Sequence, residues 1–203
     1  MRILQAVVAS LLFVSSGAAQ PVAIDRATAA LKNVEANFTH KFTPKGFKNA
    51  QIESGTVIFG ALPAMRWSYQ KPEPKLFVFD GTRSWFYVPD DRQVTVADID
   101  DRRRADLPFL FLGDPVARDR HFVVKEQKRG SGVVTTLQPR SRSAAVRGVS
   151  IVTTATNLIE SVEYSDRDGN RTIFTFSGYH PARISAETFR FATPAGVQVI
   201  RAD

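Results

Sequence analysis

Met65-Arg66-Trp67-Ser68-Tyr69-Gln70 alternates between large apolar and polar side chains at every step. A period of two is the signature of a half-buried strand. It puts Met65, Trp67 and Tyr69 on one face and Arg66, Ser68 and Gln70 on the other. Leu62-Pro63 precedes the run, and Lys71-Pro72 with Pro74 ends it. The next two runs, Leu76-Phe77-Val78-Phe79 and Trp85-Phe86-Tyr87-Val88, flank the turn signal Asp80-Gly81 and are apolar on both faces.

The same rhythm extends in both directions. Upstream, Phe38, His40 and Phe42 alternate with Asn37, Thr39 and Lys41, and residues 51–59 form a further strand candidate. Before them, Ile24, Ala27, Leu31 and Val34 recur at helical spacing, which predicts an amphipathic helix over 23–35. Downstream, strands are predicted at 93–97, 121–126, 133–138, 148–153, 158–164, 172–176 and 196–200. Pro89-Asp90-Asp91, Gly130-Ser131-Gly132 and Asp168-Gly169-Asn170 serve as turns. Many short strands with tight turns in chain order imply an antiparallel sheet that wraps into a barrel or sandwich. Two short helical insertions are predicted, at 107–112, where Pro108 suits a first helical turn, and at 185–188, where Ser185 suits an N-cap. No repeat and no linker divides the chain.

The 203 residues carry a net charge of +7 and no cysteine. Disulfides, thiolate chemistry, Cys-based zinc sites and a lipid-attachment cysteine are thereby excluded. Arg2, the apolar stretch 3–14 and the small residues Ser15-Ser16-Gly17-Ala18-Ala19 have the layout of a secretory signal peptide, so the expectation is a signal over 1–19 and one domain over 20–203. The apolar stretch is shorter than the roughly 20 residues of a membrane span. Basic residues cluster at Arg102-Arg103-Arg104, beside Asp98, Asp100 and Asp101, and at Arg140, Arg142 and Arg147. They read as solvating charge, or as a docking surface for an acidic protein or anionic lipid. No nucleic-acid-binding stripe accompanies them, so no nucleic-acid partner is expected.

Catalytic patterns are missing from the sequence. His40, His121 and His180 do not share a metal-ligand spacing, and the phosphate-loop, dinucleotide and nucleophile-elbow motifs do not occur. The expectation is a protein that is not an enzyme and that holds no metal or cofactor. The chain has 15 Phe and 2 Trp, both Trp sit on the runs at 65–70 and 85–88, and this apolar excess has two readings. It is a tightly filled barrel core, or it lines a cavity for an apolar ligand. Pro108-Phe109-Leu110-Phe111-Leu112 is apolar nearly all round and must be buried on most sides, as a plug or as a movable lid.

Several blocks resemble one family, the outer-membrane lipoprotein carrier protein LolA. They are Asn37-Phe38-Thr39-His40-Lys41-Phe42, Met65-Arg66-Trp67-Ser68-Tyr69-Gln70-Lys71-Pro72, Val78-Phe79-Asp80-Gly81, Ser84-Trp85-Phe86-Tyr87-Val88-Pro89 and the ending Phe189-Arg190-Phe191-Ala192-Thr193-Pro194-Ala195-Gly196-Val197. The segment Leu107-Pro108-Phe109-Leu110-Phe111-Leu112 is similar to the family's lid helix. The resemblance implies a mainly β fold with a few helices, an unclosed antiparallel β-barrel with a helical lid over an apolar cavity. It implies a monomeric periplasmic chaperone that shields lipoprotein acyl chains. The cargo would pass from an inner-membrane lipoprotein-releasing ABC transporter to an outer-membrane lipoprotein receptor. Phe42, Ile58, Met65, Trp67, Tyr69 and Phe77 would face the cavity, and Phe109, Leu110 and Leu112 would be lid contacts. A lipid- or lipoprotein-sensing regulator on the same scaffold is the alternative. Well-known members carry an Arg in the turn before the Trp strand. Here that turn is Gly60-Ala61-Leu62-Pro63, so the expected lid rests on apolar contacts.

Overall fold

The computed structural model describes residues 22–61, 63–100 and 113–202. The expected signal peptide over 1–19 and the expected lid contacts Phe109, Leu110 and Leu112 lie outside the described residues. The described elements are α1 (Ala23–Ala30), β1 (Val34–Thr43), β2 (Gln51–Phe59), β3 (Met65–Lys71), β4 (Lys75–Phe79), β5 (Arg83–Val88), β6 (Gln93–Asp98), α2 (Pro115–His121), β7 (Phe122–Arg129), β8 (Gly132–Pro139), β9 (Val146–Thr153), β10 (Ile159–Asp166), β11 (Arg171–Pro181) and β12 (Gln198–Arg201).

All the strands join one sheet in the order β12-β6-β5-β4-β3-β2-β1-β11-β10-β9-β8-β7. Neighbours are antiparallel except β12, which runs parallel to β6. The two ends, β7 and β12, do not pair, so the sheet is not closed. The pairing of β1 with β11, Phe38 opposite Phe176 and His40 opposite Phe174, splices the N- and C-terminal halves together.

The sheet curls strongly toward one face. β3 and β11 are separated by β2 and β1, a span of roughly 14 Å across a flat sheet at ~4.8 Å per strand. Yet the rings of Trp67 in β3 and Phe174 in β11 are centred 5.2 Å apart. Gly55 in β2 permits the approach. It stands between Phe38 and Tyr69 in register, and their rings meet over it at 4.8 Å. A Cβ at Gly55 would lie 1.9 Å from the Ser68 carbonyl oxygen, so any side chain there drives β2 and β3 apart.

α1 lies on the inner, concave side over β8 and β9, burying Ile24, Ala27 and Leu31. It is shorter than the expected helix, because Asn33 takes a left-handed conformation (φ 58°) that turns the chain into β1 at Val34. The expected helical insertion at 185–188 is instead a hydrogen-bonded turn, in which the Ser185 N–H donates to the Thr188 hydroxyl at 2.9 Å. α2 is a helix the periodicity did not reveal. Its start is written in the pair Asp114-Pro115, with the Asp114 carboxylate accepting from the Ala117 N–H at 2.9 Å and Pro115 in the first turn.

Candidate functional site

The inner face divides into two halves. Over β8 and β9 it is occupied by α1, which polar ties hold in place. The Ala23 N–H donates to the Glu126 carboxylate at 2.5 Å, and Asp25 accepts from Arg118 of α2. The other half, over β11, β1, β2 and β3, is a cluster of rings. Phe38 meets Trp67 edge to face at 5.0 Å, and Trp67 meets Phe59, Phe174 and Phe176 at 6.1, 5.2 and 5.9 Å. Edge-to-face pairs satisfy the ring quadrupoles and hold the surface rigid.

Met65, Trp67 and Tyr69 share this face, as the alternation requires, with Met65 and Trp67 buried and Tyr69 half-buried beside them. Burial raises the Tyr69 phenol well above its ordinary value, so it stays protonated. Phe77 is brought to the same face by its register with Trp67. Phe42 lies on it by alternation with Phe38 and His40, half-buried near the end of β1. Ile58 does not join them. The register pairs Ile58 with Arg66 and pairs Val57 with Trp67, so Val57 and Phe59 point inward and Ile58 points out. Alternation within β2 alone left that parity undecided.

Across the strands, Trp67, Phe77 and Phe86 are register partners in turn. Exposure rises along the row, from 3% at Trp67 through half-buried Phe77 to 40% at Phe86. A continuous apolar track thus leads from the buried cluster to solvent along β3, β4 and β5.

The outer face of these strands explains why the runs at 76–79 and 85–88 are apolar on both sides. The segment 182–197 crosses it, with Phe191 against Tyr87 at 5.5 Å and Phe189 so close to Gly60 that an added Cβ would lie 2.6 Å from the ring. An open groove of about 580 Å³ remains there between Ile58, Arg66, Thr188 and Phe191. Arg66 donates to the Thr188 carbonyl at 3.4 Å, on the side opposite Trp67, and its desolvation lowers the guanidinium pKa.

A polar trio sits on the inner face beside the ring cluster. Glu53 accepts from Lys75 Nζ at 2.5 Å and lies 3.1 Å from His40 Nδ1. His40 stacks on Phe174 at 4.3 Å with the planes 3° apart. Burial is the main influence on His40 and lowers its pKa, against the opposing pull of Glu53. Burial acts on Glu53 in the raising direction, but the hydrogen bond and charge of Lys75 outweigh it and leave its pKa low. In the sequence, His40 shares a metal-ligand spacing with neither of the other histidines. The cross-strand register, which a sequence does not print, is what joins it to Glu53 and Lys75.

Among the described residues no group of three or more His, Cys, Asp or Glu side chains converges as a metal site, and no helix is long and apolar enough to cross a membrane.

Comparison with known proteins follows the same lines. The family model of the outer membrane lipoprotein carrier protein LolA matches residues 29–192. An outer-membrane lipoprotein carrier protein of Xanthomonas campestris pv. campestris (strain B100) is 31% identical over 202 residues, 96% of this chain and 95% of that one. One from Nitrosospira multiformis is 31% identical over 170 residues, 83% of this chain and 82% of its own length. Among solved structures, an uncharacterized conserved protein from Thermus thermophilus shares the fold, with a TM-score of 0.54 at 14% identity over 89% of this chain and 97% of that one.

Proposed function

This chain belongs to the family of the outer membrane lipoprotein carrier protein LolA, and from that premise we propose that it carries lipoproteins through the periplasm with their acyl chains sheltered on the aromatic inner face. Residues 1–19 serve as the export signal and 20–203 as the carrier. The donor is an inner-membrane lipoprotein-releasing ABC transporter and the acceptor an outer-membrane lipoprotein receptor.

The track from buried Trp67 through Phe77 to exposed Phe86 supports this reading most directly. Removing an acyl chain from water is favourable by about 0.8 kcal/mol per CH₂, so one long chain is worth on the order of 10 kcal/mol. Such a molecule does not cross water unaided at a useful rate. A carrier must lower that cost and then yield to a stronger acceptor, which a rigid, loosely matched aromatic surface does. Met65, Trp67, Tyr69, Phe77 and Phe42 supply the surface. The segment containing Phe109, Leu110 and Leu112 is the lid that covers it in the empty carrier and gives way to cargo. Refilling by the lid offsets part of the cost of release.

Native mass spectrometry of the protein isolated from periplasm tests the reading. A detergent-removable mass increment matching a triacylated polypeptide is expected. Recovery of bare chain alone, under conditions that preserve other lipid complexes, would count decisively against a carrier.

A further inference from the structure

The polar trio on the inner face is poorly explained as structural support. His40, Glu53 and Lys75 come from β1, β2 and β4, and their side chains are only 18%, 19% and 23% exposed. Ion pairs taken this far from water contribute little to stability, because desolvation offsets their attraction. Apolar residues at the same positions would extend the ring cluster that His40 already touches through Phe174 and Tyr69.

The chemistry of the trio is specific. A carboxylate only accepts, so the His40 Nδ1 proton is donated to Glu53 and His40 Nε2 becomes an acceptor. Lys75 spends one N–H on Glu53, and its ammonium has three to give. Lys75 and Glu53 cancel in charge, and the desolvated imidazole adds none. The face therefore presents donors and an acceptor, without net charge, at one end of an aromatic surface. A carboxylate or phosphate head finds Lys75 already matched. A neutral amide or ester linkage finds a donor for its carbonyl oxygen and, for an amide, an acceptor for its N–H.

We propose that His40, Glu53 and Lys75 form the subsite for the neutral amide and ester linkages at the head of an acylated ligand, whose tails lie along Phe38 and Trp67. The proposal rests on the carrier reading above and names the part of the cargo that the protein grips by hydrogen bonds.

The test compares three ligands on the whole mature chain. They are a soluble cysteinyl peptide bearing one amide-linked and two ester-linked octanoyl groups, the neutral fluorophore N-phenyl-1-naphthylamine, and sodium octanoate. Lys75→Met and His40→Phe are expected to bind the lipopeptide about tenfold more weakly, the loss of one charge-assisted or buried hydrogen bond, and the naphthylamine at least as tightly as the natural chain, because each extends the apolar surface. Glu53→Gln leaves the Lys75 charge unmatched and is expected to bind octanoate about fivefold more tightly, a change that a purely structural role does not produce. Equal lipopeptide affinity in either folded variant, Lys75→Met or His40→Phe, overturns the subsite while leaving the carrier standing. Binding of neither lipopeptide nor naphthylamine by the natural chain overturns the carrier reading and the subsite together.

Discussion

The Arg118 guanidinium of α2, only 2% exposed, donates to the Asp25 carboxylate of α1 at 2.5 Å, joining helices that lie 93 residues apart in sequence. Its other carboxylate partner, Asp119, is largely exposed, so Asp25 is the main compensation for a buried charge. Removing one member of a buried pair costs far more than the pair contributes, because the remaining charge is stranded. Asp25→Ala is therefore expected to lower the unfolding free energy by about 3 kcal/mol. Arg118→Met, which removes the charge and keeps an apolar stem, is expected to cost less. Urea unfolding of both variants decides it, and a smaller loss for Asp25→Ala than for Arg118→Met would show that Arg118 is satisfied without Asp25. The pair also holds α1 down over β8 and β9.

Gly55→Ala tests the curl. An added Cβ 1.9 Å from the Ser68 carbonyl oxygen meets backbone, which has no rotamer to retreat to. A loss of about 3 kcal/mol or more is expected. Gly148→Ala serves as the control, because its Cβ would sit 3.6 Å from the nearest atom, an ordinary contact. Matching thermal midpoints for the two variants would mean that β2 and β3 separate freely at Gly55.

Much of this fold was legible residue by residue. The alternation at 65–70 matches β3, because a strand with one apolar and one polar face writes its period into the sequence, and the run at 51–59 coincides with β2 although Val57-Ile58-Phe59 leaves its parity open. Strands whose two faces are both covered do not. At 76–79 and 85–88 the second covering layer is the irregular segment 182–197, which has no period of its own to announce it. The face of Ile58 and the union of His40, Glu53 and Lys75 both depend on register between strands. α2 escaped notice because, at seven residues, it shows only one buried side chain, that of Arg118, and an arginine does not look like core.

Phe86→Asn tests the open end of the track. At 40% exposure the ring contributes little to folding, so the variant should keep its thermal midpoint within a few degrees. Loss of apolar contact worth roughly 1–1.5 kcal/mol should weaken lipopeptide binding by about tenfold. Calorimetric titration reads this directly, and unchanged affinity would remove β5 from the binding surface.

Leu110→Arg tests the lid. The segment 108–112 is apolar nearly all round in sequence, and a guanidinium within it resists return to an apolar face. The variant is expected to fold and to fail in releasing lipoprotein from inner-membrane vesicles that contain the donor complex. Full release by a folded Leu110→Arg chain would take the lid out of the cycle.

Acid should loosen the inner face in two steps. Burial sets the His40 pKa below its ordinary 6.5, with Glu53 pulling up, Lys75 pushing down, and the neutral rings of Phe174 and Tyr69 packed against it. A histidine whose folded pKa is depressed binds fewer protons than in the unfolded chain, so its contribution is complete above about pH 6.5 and is lost as pH falls below that value. Glu53, also lowered in the folded state from an ordinary 4.5, contributes above that value and loses its share only in stronger acid. His40→Phe keeps the stack on Phe174, deletes the first step and, by removing one hydrogen bond to Glu53, shrinks the second. Unfolding free energies measured between about pH 7.5 and pH 5 should therefore fall more steeply in the natural chain than in His40→Phe. Parallel curves across the whole interval would mean that His40 titrates as it does in water, and that the face around it is wet. A wet imidazole would no longer be the poised acceptor that a neutral acyl linkage requires.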